Sequence, residues 1–279
     1  IKCYILIIFL YLIMTSILCL GNFGSGKMGQ YKVAELMLCL YKKYDIKFVI
    51  GLGNNILPNG VKNKYDSKFV THFEKPYHEL LQKIKFYNIL GEVDYISRNS
   101  INSEINYNKW ILPHNFYCFK KYINKIPVEF ILIDSNFEKI KTKDKKTQEI
   151  WALNTLLESR SRWNIVISHH PWYSFGSTNC DPELNIFFDK LNNTKKVDLI
   201  ISSHENNHQH IYIPNKPNMI ISGVGAINDE YPIIKIYDEL KFTSNELGCV
   251  MIHVTKNRLN VVFYNSDKQS VHSFNINKY

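Results

Sequence analysis

The sequence predicts a single α/β domain whose last third is strand-rich. Three observations predict it. Short, continuous apolar runs alternate with stretches of helical period over the first two thirds, as strands buried on both faces between helices do. Beyond Ile211 the pattern is strand alone. No Pro/Gly/Ser-rich linker and no internal repeat divides the 279 residues.

Taken in order, Ile1 to about Ile13 is an apolar segment behind Lys2. It reads as a secretory signal, or as a membrane anchor if it stays uncleaved. The domain then runs from residue 14 to residue 279. Met14 to Leu20 is its first strand, closed by the turn Gly21-Asn22-Phe23-Gly24. Val33, Leu36, Met37, Leu40 and Tyr44 keep the spacing of one helix face. Phe48–Leu52, Phe86–Leu90, Val128–Ile133, Ile165–Ser168 and Leu199–Ser202 are the buried strands. Helices are expected over Lys68–Ile84, Lys146–Glu158 and Pro182–Leu191, and the asparagine-rich stretch Asn99–Asn108 reads as a surface loop. Met219–Ser222, Cys249–Val254, Asn260–Phe263 and Ser270–Ile276 complete the strands.

Composition sets outer bounds. With 45% hydrophobic and 21% charged residues, wholesale disorder is excluded. The net charge is +9, yet only Lys139 to Lys146 is dense in lysine, and it reads as a solvated face. No nucleic-acid partner is therefore expected. The six cysteines show no metal-ligand spacing, and Cys19 and Cys39 sit in apolar patterns as core residues.

Chemistry in an open α/β sheet collects where strands end. Five such ends mix Gly or Ser with polar side chains: Gly21-Asn22-Phe23-Gly24, Gly53-Asn54-Asn55, Gly91-Glu92-Val93-Asp94, Ser168-His169-His170-Pro171 and Ser203-His204-Glu205-Asn206. Asp94 is expected to accept backbone hydrogen bonds in its own turn. His208 and His210 alternate in a strand-like stretch, so one face would present both, to solvent.

The order of these five ends resembles the calcineurin-like metallophosphoesterases and, within them, the purple (tartrate-resistant) acid phosphatases. Those run G-D-W-G, G-D-N-x-Y, G-N-H-D, G-H-Y-P and G-H-D-H at successive strand ends. Asn59-Gly60-Val61, Trp110 with Pro113 and Phe116-Tyr117, Phe130 to Asp134, Pro171 to Ser174 and Ser222-Gly223 with Gly225 agree. The resemblance implies an α/β/β/α sandwich of mixed sheets and, in the family, two metals sharing a bridging aspartate.

Position by position, the resemblance puts Asn22 for the first aspartate, Asn54 for the bridging aspartate and Leu57 for the tyrosine. Glu92 stands for the ligand asparagine, and Val93 for the histidine that serves substrate and leaving group. His169 and His204 are kept, and Asn206 replaces the last histidine. Two divalent cations about 3.5–4 Å apart repel by on the order of 15–20 kcal/mol at an effective dielectric near 20. Neutral Asn22, Asn54 and Leu57 cannot offset that repulsion, which weighs against a two-metal centre.

Three readings follow from the resemblance. A pseudophosphatase would keep the fold, hold no metal, have no catalytic residue and bind a protein partner. A divergent phosphomonoesterase would hold one divalent metal on Glu92, His169 and His204 with Asn54 at the edge, a set that favours zinc. In that enzyme His170 or His208 would have to supply the proton that Val93 cannot. In the third reading, His169 and His204 are polar remnants hydrogen-bonded at strand ends. The leading apolar segment places the chain in the secretory pathway, secreted or, if the segment stays uncleaved, membrane-anchored.

Overall fold

The structure, a computed structural model, describes residues 15–177, 181–228 and 237–279. The leading segment, Met14 and Cys180 lie outside the described residues. Two mixed sheets form the centre. The first has the order β13-β12-β11-β1-β2-β3 and the second β10-β8-β9-β7-β6-β5-β4.

In the first sheet, β1 (Thr15–Leu20), β2 (Asp45–Gly51) and β3 (Lys85–Asn88) run parallel, and β11 (Gly248–Val254), β12 (Arg258–Asn265) and β13 (Ser270–Asn277) extend it antiparallel. In the second, β5 (Ile126–Leu132), β6 (Trp163–Ile167), β7 (Leu199–Ser202) and β9 (Asn218–Ser222) run parallel. The antiparallel strands β4 (Tyr117–Ile123), β8 (His208–Ile211) and β10 (Leu240–Ser244) complete it.

Strand periodicity builds the layers. Along β5, Val128, Phe130 and Leu132 enter the core between the sheets, while the alternate Ile131 meets the helices behind. Phe48 of the first sheet stands edge-on to Phe130 of the second, ring centres 5.5 Å apart. Helix α1 (Met28–Lys43) covers the outer face of the first sheet through Val33, Leu36, Met37 and Leu40. Two further helices, Thr142–Glu158 and Pro182–Asn193, cover the second through Ala152, Leu156, Leu184 and Phe187. The α/β/β/α sandwich of mixed sheets is therefore the fold of the described residues.

Several elements differ from expectation. The Asn99–Asn108 stretch is not a surface loop: Ser100–Ile105 is a helix with Ser100, Ser103 and Glu104 buried. Its polar groups satisfy one another, since Ser100 Oγ donates to Glu104 at 2.8 Å and Asn55 Nδ2 donates to Glu104 at 2.9 Å. The expected helix Lys68–Ile84 is two short pieces, a π-helical turn at Phe69–Glu74 and a turn of α-helix at His78–Leu81, on either side of Pro76. His208 and His210 are buried between the sheets at 0% and 5% exposure, not turned to solvent. Cys39 is only partly buried. Strands β4 and β10 carry too few consecutive apolar residues to be read from sequence.

Candidate metal centre

The carboxyl ends of β1, β2, β3, β6 and β7 open on one edge of the sandwich, so five loops from two sheets converge there. Three residues in them, Asn22, Asn54 and His204, have φ of 52°, 54° and 69°. This left-handed backbone is tolerated by Asn and costs a histidine on the order of 1–2 kcal/mol. Gly53, at φ +86°, is needed for close approach: a Cβ there would lie 2.6 Å from His169 Nδ1.

The loops bring together two separate groups. In the first, Glu92, His169, His170 and His204 each place one ligand-capable atom within 4.8 Å of the others. Glu92 Oε2 contacts His169 Nε2, lies 3.1 Å from His204 Nδ1 and stands 3.9 Å from His170 Nε2. His169 Nδ1 donates to the Leu52 carbonyl at 2.7 Å, because a carbonyl only accepts. A neutral His169 then turns a bare lone pair to the carboxylate, and only a proton or a cation between them makes that contact favourable. Burial raises the Glu92 carboxyl, but the neighbouring His169 and His204 outweigh it and hold the group far below the usual range. Burial, with His169 and His204 adjoining, pushes the His170 imidazole down to about 2. Such a donor set, one carboxylate and imidazoles converging on one point, fits a single divalent cation.

In the second group, side-chain amides bond one another. Asn54 Nδ2 donates to Asn22 Oδ1 at 2.9 Å, and Asn22 Nδ2 donates to Asn206 Oδ1 at 2.8 Å. Backbone groups fix which way each amide faces. The Val93 N–H donates to Asn54 Oδ1 at 3.1 Å, and the Gly223 carbonyl accepts from Asn22 Nδ2 at 3.0 Å. Asn54 Nδ2 also donates to Glu92 Oε1 at 2.8 Å. Asn54 thus turns its nitrogen, not its oxygen, toward Glu92. Leu57 is buried and offers no ligand atom. The amide oxygens of Asn22, Asn54 and Asn206 carry no charge and each already accepts a hydrogen bond, so this group is a poor match for a divalent cation.

Behind the centre, Asp94 accepts from the N–H groups of Gly91 at 2.8 Å and Asn55 at 3.0 Å, as expected of its turn. Burial pushes both Asp94 and the adjacent Glu104 up, Glu104 to about 7. In front lies a cavity of about 500 Å³ lined in part by Glu92, Ser135, Lys139, His170, Asp181 and His204. Glu104 and Ser135 were missed in sequence, because no spacing signal ties either to the strand-end motifs.

The sequence profile of calcineurin-like phosphoesterases matches residues 16–207. Purple acid phosphatase 7 of Arabidopsis thaliana is 27% identical over 94% of this chain and 86% of its own length. Glideosome-associated protein 50 of Plasmodium falciparum is 25% identical over 93% of this chain and 76% of its own. A solved structure described as the anchor in the inner membrane complex of Plasmodium superposes with a TM-score of 0.83. It is 23% identical and covers 96% of this chain and 90% of its own.

Proposed function

The chain belongs to the calcineurin-like phosphoesterase family, and from that premise we propose that it is a catalytically impaired member kept as a binding scaffold. One observation carries the reading. At three of the positions where the family resemblance calls for the ligands of one metal, Asn22, Asn54 and Asn206 are joined by amide hydrogen bonds. Each amide oxygen accepts a hydrogen bond from within the protein, and the fourth position is Leu57. Val93, at the position of the family's substrate-facing histidine, has no proton to give a leaving alkoxide, and such help is typically worth about 10²–10⁴ in rate. A relative described as an anchor supports the scaffold role. The partner is a protein rather than nucleic acid. The compartment is the secretory pathway, with membrane attachment if the leading segment is retained; among the described residues no helix is long and apolar enough to cross a membrane.

A second reading is favoured by the convergence of Glu92, His169 and His204 beside the open cavity. Here these three residues hold one divalent cation, zinc by preference, with Asn54 at the edge orienting Glu92 through its Nδ2 hydrogen bond. A cation so held supplies Lewis acidity to a phosphomonoester. An aryl phosphate assay with added zinc, iron or manganese separates the readings. The scaffold reading expects no turnover above a Glu92→Ala, His169→Ala double variant. Turnover in the unaltered protein that disappears in the variant would establish the hydrolase instead.

A further inference from the structure

Ser135 determines where His170 carries its ring proton. Ser135 Oγ accepts the backbone N–H of His169 at 3.1 Å and that of His170 at 2.8 Å. Its third contact is His170 Nδ1 at 3.1 Å. A hydroxyl oxygen has two lone pairs and one hydrogen. Both lone pairs are engaged, so the hydrogen is what remains for Nδ1, which accepts it. The ring proton therefore sits on Nε2. Nε2 lies 3.9 Å from Glu92 Oε2, beyond hydrogen-bond reach, and the residue lines the cavity.

A nitrogen that carries hydrogen has no lone pair for a metal. His169 is the opposite case, since its Nδ1–H is spent on the Leu52 carbonyl and its Nε2 is left bare. Two adjacent histidines thus present opposite faces to the same point, although all four candidate ligand atoms lie within 4.8 Å. We propose that His170 is not a fourth ligand but a hydrogen-bond donor facing the open side of the cation position, so that the site binds an anionic oxygen between the cation and His170 Nε2–H. This rests on the one-cation reading of Glu92, His169 and His204.

The test uses the full chain loaded with cobalt(II), whose visible bands report its ligands, titrated separately with inorganic phosphate and with acetate. The unaltered protein is expected to hold one cobalt per chain and to change its spectrum saturably with at least one anion. Response to phosphate alone assigns a phosphate oxyanion, and response to acetate alone a carboxylate. His170→Ala is expected to keep its cobalt while its anion affinity falls at least tenfold, and His170→Gln, which restores an N–H donor, to recover part of it. Loss of cobalt in His170→Ala would make His170 a ligand and overturn the proposal, as would an unchanged anion affinity. If the unaltered protein takes up no cobalt, the one-cation reading itself fails, and the proposal with it.

Discussion

Asn54 is the side chain that joins the two groups of the centre. It accepts from Val93 N–H and donates to both Asn22 and Glu92. Removing it leaves the buried Asn22 Oδ1 without its donor, at a cost of about 1–3 kcal/mol, whereas the partly exposed Glu92 and Val93 N–H can turn to water. Asn54→Ala is therefore expected to lower unfolding stability by about 1–3 kcal/mol in urea titration; an unchanged midpoint would mean the amides contribute nothing. The triple variant Asn22→Asp, Asn54→Asp, Asn206→His replaces the ladder with anionic and imidazole ligands, and is expected to bind more metal per chain than the unaltered protein by elemental analysis. That Asn22, Asn54 and Asn206 put neutral amides at strand ends was legible in sequence, because each stands inside a recognisable strand-end motif. Their bonding to one another was not, since Asn22 and Asn206 lie 184 positions apart and meet only where two sheets converge.

Strand β8, together with His253 of β11, carries buried histidines that respond to acid. His208 packs against Phe263 and His210 stacks on Phe274, so the strand pins its imidazoles between the sheets. His210 Nδ1 also lies 3.0 Å from His272 Nε2 of β13. Burial pushes His208, His210 and His253 down to about 4. Between about pH 6.5 and 4 the unfolded chain takes up protons that these folded imidazoles refuse, so their contribution is full above pH 6.5 and falls as the pH drops toward 4. For fully buried His208 the loss is on the order of 3 kcal/mol. Urea midpoints at pH 7, 5.5 and 4.5 are expected to decline in that order, less steeply in His208→Phe; a flat profile would contradict burial of neutral imidazoles. The parallel strands were legible because burial on both faces forces continuous apolar runs. The helix Ser100–Ile105 and the burial of β8 were not, because their inward residues are polar and are satisfied only by partners distant in sequence.

At the scale of the whole molecule, the sandwich brings Glu92 from the first sheet against His169 and His204 from the second. A cation seated there binds only the folded chain and stabilises it by mass action. Zinc at saturating concentration is thus expected to raise the melting temperature of the unaltered protein and to leave Glu92→Ala unmoved, while an equal rise in both would place the ion elsewhere. The architecture was legible from the order of the strand-end motifs over nearly the whole chain. The division of the centre into a satisfied amide ladder and a converging Glu/His group depended on distances that no motif encodes. If the amide ladder excludes a second metal, elemental analysis of the full chain, after equilibration with excess zinc and iron and removal of the unbound ions, will find no more than one metal per chain; two per chain would show that the ladder yields to a cation.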